Sequence, residues 1–147
     1  MKTEGVMNME AKEYLSQAYR IDQRINSKLE QVMSLRDLLG KANVTLTGMP
    51  KTPTPNPHSM EDIIVKMVDL ESEINDDIDT LVDLKAEIMR CIKHVDNPEY
   101  QTLLELRYLC FKHWEEIAVE LGYTQRHLLR IHDLALESIC VPLEVER

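Results

Sequence analysis

The feature that most constrains the fold is an apolar seam that runs from residue 60 to residue 95. Its members recur in steps of three and four residues over five heptads, and only one of them, Asp77, is polar. They are Met60, Ile63, Met67, Leu70, Ile74, Asp77, Leu81, Leu84, Ile88, Cys91 and Val95. At ~1.5 Å per residue the spacing predicts one α-helix about 54 Å long that packs against another helix.

Side chains beside this seam widen its apolar stripe: Ile64, Val68, Ile78 and Val82. A stripe of that width indicates contact with more than one neighbour, and it favours the pairing of two chains as a dimer. Ser59 is the expected N-cap of the helix, and Glu61 and Asp62 suit the positive end of its dipole.

A second seam precedes it, from about Asn8 to Leu39. It contains Leu15, Ala18, Asp22, Ile25, Leu29, Val32, Arg36 and Leu39, with Asp22 and Arg36 as polar interruptions. Gly40 is the expected helix stop. Residues 40–59, which hold four prolines, are then a linker that acts as a spacer or as a peptide ligand for a partner. Two long helices so joined predict an antiparallel, coiled-coil-like hairpin over residues 1–95.

Composition supports a helical chain in a reducing compartment. Aromatic residues make up 5% of the chain and glycines number four, fewer than a β-rich protein needs. No apolar run approaches ~18 residues, so we expect no membrane span. The amino terminus carries no apolar signal region. Three cysteines give no disulfide framework and favour the cytoplasm.

Residues 96–147 predict a helix-turn-helix domain. Asn97 and Pro98 start a helix that runs to about Phe111. The motif itself comprises a helix over Trp114–Leu121, a turn at Gly122, and a helix that starts after the cap Thr124 and runs to about Cys140. Ala118 supplies the small residue where the two helices cross. We therefore expect an all-α fold in which a long helical hairpin precedes this motif.

The outward side of the last helix carries the candidate DNA contacts. Leu128, Ile131 and Ala135 form its inward stripe, which leaves polar side chains near its amino end for base edges and phosphates. The predicted DNA-binding residues are Thr124, Gln125, Arg126, His127 and Arg130. The alternative is an ordinary three-helix bundle with a solvated basic spot.

Charge opposes strong binding to nucleic acid. The chain carries a net charge of −9, and residues 96–147 hold five basic against ten acidic side chains. The stretch from Thr124 to His132 nevertheless contains two arginines, two histidines and no acid. We therefore expect binding to DNA that is modest, local and sensitive to salt.

The segment from about Pro98 to Ile139 resembles region 4 of bacterial sigma factors. More narrowly, it resembles the RinA-like and ArpU-like transcriptional regulators of phages. The resemblance rests on Leu103–Tyr108, Trp114–Ala118, Leu121–His132 and Ala135–Leu136. It implies promoter binding by the last helix and regulation of phage genes in a bacterial host, with RNA polymerase as a candidate partner. Leu129 and Asp133 depart from the more basic reading helices of sigma factors, so a dimer or a polymerase partner is implied.

Other chemistries have weaker support. Cys91 with His94 and Cys110 with His113 have the spacing of zinc ligands, but these pairs lie in helices, where buried cysteine usually acts as a small hydrophobe. We expect no metal and no cofactor. No nucleotide-binding, hydrolase or metalloprotease motif is present, so we expect no enzyme. Trp114 could stack on a base, but its position favours the core.

Three functions therefore stand as hypotheses. The first is a phage or prophage transcriptional regulator that reads the major groove. The second is a DNA-packaging protein, like a small terminase subunit, or an adaptor assembled through the long helices. The third is an acidic protein-binding module that has no affinity for DNA. A defined dimer bound upstream of a promoter favours the first, ring formation favours the second, and binding to a DNA-binding protein alone favours the third.

Overall fold

The computed structural model describes residues 4–48 and 60–142, and the side chains of residues 10–41 and 60–142. The described chain is all-helical, which confirms the predicted fold class. Its helices are α1 (Glu4–Gly48), α2 (Met60–Lys93), α3 (Pro98–Leu104, continued by a π-helical turn over Glu105–Leu109), α4 (Trp114–Leu121) and α5 (Gln125–Ser138). None of these helices is both long enough and apolar enough to cross a membrane.

The predicted end of the first helix at Gly40 is wrong, because α1 continues to Gly48. Gly40 is exposed, and a side chain there would meet no atom within 4 Å. A glycine inside a helix costs about 1 kcal/mol relative to alanine, which is too little to end a helix that continues with Lys41 and Ala42. The predicted linker therefore does not begin at residue 40, and its remaining part, residues 49–59, lies outside the described residues.

The predicted seam of α2 is confirmed. Every member of it is buried or half-buried, and Ile74, Leu84, Ile88 and Val95 are buried. The four residues that widen the stripe are exposed instead: Ile64, Val68, Ile78 and Val82. The helix thus uses one seam within the chain and leaves a second apolar strip in solvent.

The chain divides into two compact units. The first combines residues up to Ile21 with residues from Leu81 onward, and the second is Asp22–Thr80. In the first unit, the amino-terminal part of α1 and the carboxyl-terminal part of α2 share a core with α3, the π-helical turn and α5. That core comprises Ala11, Leu15, Ala18, Leu84, Ile88, Ile92, Val95, Leu104, Tyr108, Ala135, Leu136 and Ile139.

In the second unit, a lysine occupies the seam of α1. The Lys28 Nζ atom lies 2.5 Å from Asp77 Oδ2 and 3.7 Å from Glu73 Oε2. Leu29, the predicted seam member, is 44% exposed, so this part of the predicted seam is wrong. The lysine fits because its aliphatic stem covers apolar surface while Asp77, the polar member of the α2 seam, neutralises its charge.

In the first unit, the same two helices meet at Tyr14. Its hydroxyl donates to Glu87 Oε1 at 2.9 Å and lies 3.9 Å from Cys91 Sγ. Burial, followed by the bond to Glu87, raises the pKa of Tyr14 above its usual range. The two long helices therefore pack against each other within the first unit as well, which agrees with the predicted hairpin.

Candidate nucleic-acid interface

The turn between α4 and α5 has the predicted geometry. Gly122 adopts the left-handed conformation at φ +73°, which glycine tolerates best, and its N–H donates to the Ala118 carbonyl. Tyr123 N donates to the same carbonyl at 3.0 Å. The Thr124 hydroxyl then caps α5 by accepting from His127 N at 3.2 Å. These bonds fix where α5 begins and hence where its first two turns lie.

A small apolar core holds α4 and α5 together with α3. It comprises Leu103, Ile117, Ala118, Leu128 and Ile131. Asn97 caps α3 by accepting from Glu99 N at 2.9 Å, and Pro98 follows at the first helical position, both as predicted. The second helix of the motif is therefore seated on a packed support rather than held by its turn alone.

The structure places all five predicted DNA-binding residues on one exposed surface. Thr124, Gln125, Arg126, His127 and Arg130 are exposed over the first two turns of α5. The predicted inward stripe of Leu128, Ile131 and Ala135 is buried. Because that stripe occupies the opposite side of the helix, the five polar side chains are available together to a ligand that meets its amino end.

The two arginines of this surface are unneutralised within the described part of the chain. Arg126 and Arg130 lie one helical turn apart, and neither forms an ion pair with a described residue. His127 packs edge-on against Tyr123, with ring centroids 4.9 Å apart, which orients its imidazole. Tyr123 itself donates to Glu99, and this bond raises the pKa of Tyr123. The orientation of His127 is thus fixed by packing, whereas the guanidinium groups of Arg126 and Arg130 form no ion pair with a described residue and are available to a ligand.

The carboxyl-terminal half of α5 carries the opposite charge on the same face. Asp133 and Glu137 are exposed and follow Arg126 and Arg130 at helical spacings of seven residues. Residues seven apart lie on one face of an α-helix. The outward face of α5 is therefore basic over its first two turns and acidic over the next two.

His132 does not belong to this surface, although it lies in the same acid-free stretch of the sequence as the two arginines. Only 4% of the residue is exposed, and its Nε2 atom lies 2.6 Å from the Tyr108 hydroxyl. Burial, followed by the charges of Lys12 and Arg107, lowers the pKa of His132 to about 4, so the ring is neutral near pH 7. The sequence indicates this burial by spacing, since Leu128, His132 and Leu136 follow one another at intervals of four residues and therefore share one side of the helix.

Trp114 lies at the edge of the core and not on the candidate DNA surface. Its ring meets His132 edge-on at 4.6 Å, and the Arg107 guanidinium lies 4.6 Å from its centroid. The residue is half-buried and packs against the α3–α5 core. The prediction that it serves the core is confirmed, and the contact with Arg107 was not foreseen.

The candidate zinc ligands do not come together. Among the described residues, no group of three or more histidine, cysteine, aspartate or glutamate side chains could hold a metal ion. Cys91 is half-buried on the α2 seam, as predicted, whereas Cys110 is exposed and does not lie in the core.

These features define an all-α protein that combines two long helices with a helix-turn-helix. The chain belongs to the family described as Protein of unknown function (DUF1492), whose sequence model matches residues 55–139, more than half of the chain. The matched range includes α2 and the whole helix-turn-helix. No curated protein and no solved structure matches the chain.

Proposed function

We propose that this protein is a sequence-specific, DNA-binding transcriptional regulator of phage or prophage genes, and that α5 enters the major groove. The observation that carries the proposal is the exposure of five polar side chains on the first two turns of α5, the second helix of a helix-turn-helix. In such motifs, residues at the amino end of this helix contact base edges.

Each of the five residues has a role that its chemistry allows. Arg126 and Arg130 contact base edges or phosphates, because a guanidinium can donate two parallel hydrogen bonds to guanine or to a phosphate. Gln125 and His127 are auxiliary contacts. Thr124 accepts the cap bond from His127 N, which leaves its own O–H free to donate to a phosphate.

Charge on α5 limits how the helix meets DNA. Asp133 and Glu137 would approach phosphates if α5 lay lengthwise along the groove, and that approach costs free energy by like-charge repulsion. The helix therefore enters with its amino end foremost. With two arginines as the principal cations, binding is modest and decreases as salt increases, in proportion to the few phosphates that they contact.

Such a regulator works with a partner. One α5 helix that has two arginines supplies little specificity, so we propose that a second copy of the chain, in a dimer, or bacterial RNA polymerase completes the complex on double-stranded DNA. The exposed apolar side chains of α2 suit either protein contact. The setting is the cytoplasm of the bacterial host, and the proposed role involves no catalysis and no cofactor.

The test is a mobility-shift experiment on fragments of the genome that encodes the protein, at two salt concentrations. We expect the wild-type chain to retain one fragment selectively. The double variant Arg126→Ala/Arg130→Ala should lose that selectivity, since each arginine that reads a base contributes about 1–3 kcal/mol. Equal retention by the variant would contradict the assignment of α5, and no retention at low salt would contradict DNA binding.

One observation favours assembly through the long helices as a second candidate function. In the second unit, Met33, Val65 and Val68 are each more than half exposed. Side chains of this kind are expected on a surface that forms rings or packing complexes, as in a small terminase subunit. Light scattering after size-exclusion chromatography separates the two, because a ring of many copies favours packaging and a dimer favours regulation. Binding to a basic protein without any affinity for DNA would favour the acidic protein-binding module instead.

A further inference from the structure

A cavity of about 140 Å³ lies in the first unit, beside the loop that connects the π-helical turn to α4. Its six lining residues come from α1, from the π-helical turn and from that loop. They are Ser16, Tyr19, Arg107, Tyr108, Phe111 and His113. All of them belong to the first compact unit, so the cavity lies within a single packed body and opens partly to solvent. None belongs to the proposed DNA-binding surface.

The backbone around the cavity departs from regular geometry. Cys110 N donates to the Glu105 carbonyl and Lys112 N to the Leu106 carbonyl, both at 3.0 Å, which widens the end of the helix. Phe111 then adopts φ +58°, the one positive φ of a non-glycine residue in the described chain. π-Helical turns and strained residues concentrate at functional sites, because the surrounding structure must compensate for their cost.

Two contacts hold the strained residue in place. The Phe111 ring meets Tyr19 edge-on at 5.7 Å, and Lys85 Nζ lies 4.6 Å from its centroid. The loop is fixed further by Arg107, which donates through Nη1 to the Lys112 carbonyl at 3.0 Å. The cavity is therefore bounded by side chains whose positions are determined by packing.

The lining is basic and polar on one side. Arg107 has five N–H donors, of which one bonds to the Lys112 carbonyl, and none of the six lining residues is acidic. Lys85 stands across the Phe111 ring, and the charges of Lys12 and Arg107 both lower the pKa of the neighbouring His132. Burial raises the pKa of Tyr108 to about 12, the charge of Arg107 opposes that shift, and the charge of Asp133 adds to it. Among the six lining residues, Arg107 is therefore the fixed cation, and it faces no carboxylate within the lining.

We propose that this cavity binds a small oxyanion, a carboxylate or a phosphate, with the Arg107 guanidinium as its principal donor. His113 supplies a further hydrogen bond, and the rings of Tyr19 and Phe111 cover the ligand. The volume is below the ~300–1,000 Å³ of pockets for drug-sized molecules, so the ligand is a small anion and not a nucleotide. The site is independent of the proposed DNA contacts.

The test is calorimetric titration of the full chain with inorganic phosphate, and separately with acetate, at constant ionic strength with chloride as the reference anion. We expect saturable binding of at least one of the two anions, and the tighter of them identifies the ligand class. Arg107→Gln should weaken that binding at least about tenfold. Arg24→Gln, which removes an exposed arginine of the second unit, should leave it unchanged.

Because Arg107 also contacts Trp114, a second variant decides the result. Ser16→Leu fills the cavity without changing the charge, and the Ser16 hydroxyl forms only an exposed bond to the Lys12 carbonyl within α1. Loss of anion binding in a folded Ser16→Leu variant supports the site. Binding that persists in this variant, or the absence of saturation below about 10 mM anion in the wild-type chain, overturns it.

Discussion

The two compact units differ in how they treat their apolar side chains. Of twenty buried hydrophobic residues in the described chain, seventeen lie in the first unit and three, Ile25, Val32 and Ile74, in the second. The first unit exposes six large hydrophobic residues and the second exposes seven. The first unit thus has a core of its own. In the described part of the second unit, two helix segments bury only three hydrophobic residues.

This difference indicates what each unit needs. A packed core holds α5 in one orientation, which a helix that reads DNA requires. A two-helix segment with a mostly exposed apolar surface gains stability when another chain covers that surface. We therefore propose the first unit as the DNA-binding element and the second as the element that associates with a partner.

The largest expected effect is on the free energy of unfolding, and it compares one core substitution in each of the two units. Ile88→Ala, in the first unit, should lower the free energy of unfolding by about 2–5 kcal/mol, because Ile88 is fully buried and its loss leaves a cavity. Ile74→Ala, on the same helix in the second unit, should cost less, since few buried neighbours surround it. Urea denaturation measures both, and an equal loss would contradict the contrast.

The next effect concerns pH and the first unit alone. The pKa of His132 is lowered to about 4, so the unfolded chain binds this proton more readily than the folded chain. Stability should therefore fall as the pH decreases from about 6.5 to 4, by about 3 kcal/mol from this group.

Urea denaturation at several pH values in this window measures the loss. His132→Leu should flatten the dependence on pH, and His94→Leu, at an exposed histidine, should not. A wild-type profile as flat as that of His132→Leu would show that the buried ring has no such role.

A third effect concerns the exposed surface of the second unit. Val68→Glu should raise the dissociation constant for self-association at least about tenfold, equivalent to about 1.4 kcal/mol, because a charge would enter the contact. Val119→Glu is the matched control, since Val119 is 83% exposed but lies in the first unit. Sedimentation velocity measures the self-association of both variants. Equal dissociation constants would show that the second unit does not form the contact.

The smallest effect lies on α5 itself. Asp133→Asn/Glu137→Gln should tighten DNA binding about two- to five-fold at low salt, because exposed charges contribute less than about 1 kcal/mol each. Asp69→Asn/Glu71→Gln, the same change on an exposed part of α2, should alter binding less. Fluorescence anisotropy measures the change, and tighter binding by both variants alike would assign it to net charge rather than to the face of α5.

Much of the fold could be predicted because the deciding signals are local. The caps at Asn97 and Thr124 and the positive φ at Gly122 each depend on neighbouring residues, so the helix-turn-helix was placed correctly. Gly40 shows where local reasoning fails, because one unfavourable residue costs less than the rest of a long helix contributes. Local reasoning also fails at Lys28 in the seam of α1, because its position depends on Asp77, which is 49 residues away along the chain.

The candidate site divides in the same way. The helical repeat predicts the exposure of Arg126 and Arg130. The same repeat places His132 on the buried side, but a polar residue is not normally expected there. The π-helical turn and the strained Phe111 could not be predicted, because they arise from contacts with Tyr19 and Lys85 on the long helices. Neither residue carries a sequence motif for such contacts.

We propose that Arg126 and Arg130 on α5 bind DNA. The most direct test is the affinity of Arg126→Ala/Arg130→Ala for the selectively retained fragment, by anisotropy at two salt concentrations. Arg24→Ala/Arg36→Ala, which removes the same charge from exposed positions of the second unit, is the control. We predict that the α5 variant loses at least about tenfold in affinity and has a shallower salt dependence, while the control binds nearly as the wild type does. Equal affinities of the two variants would contradict the claim.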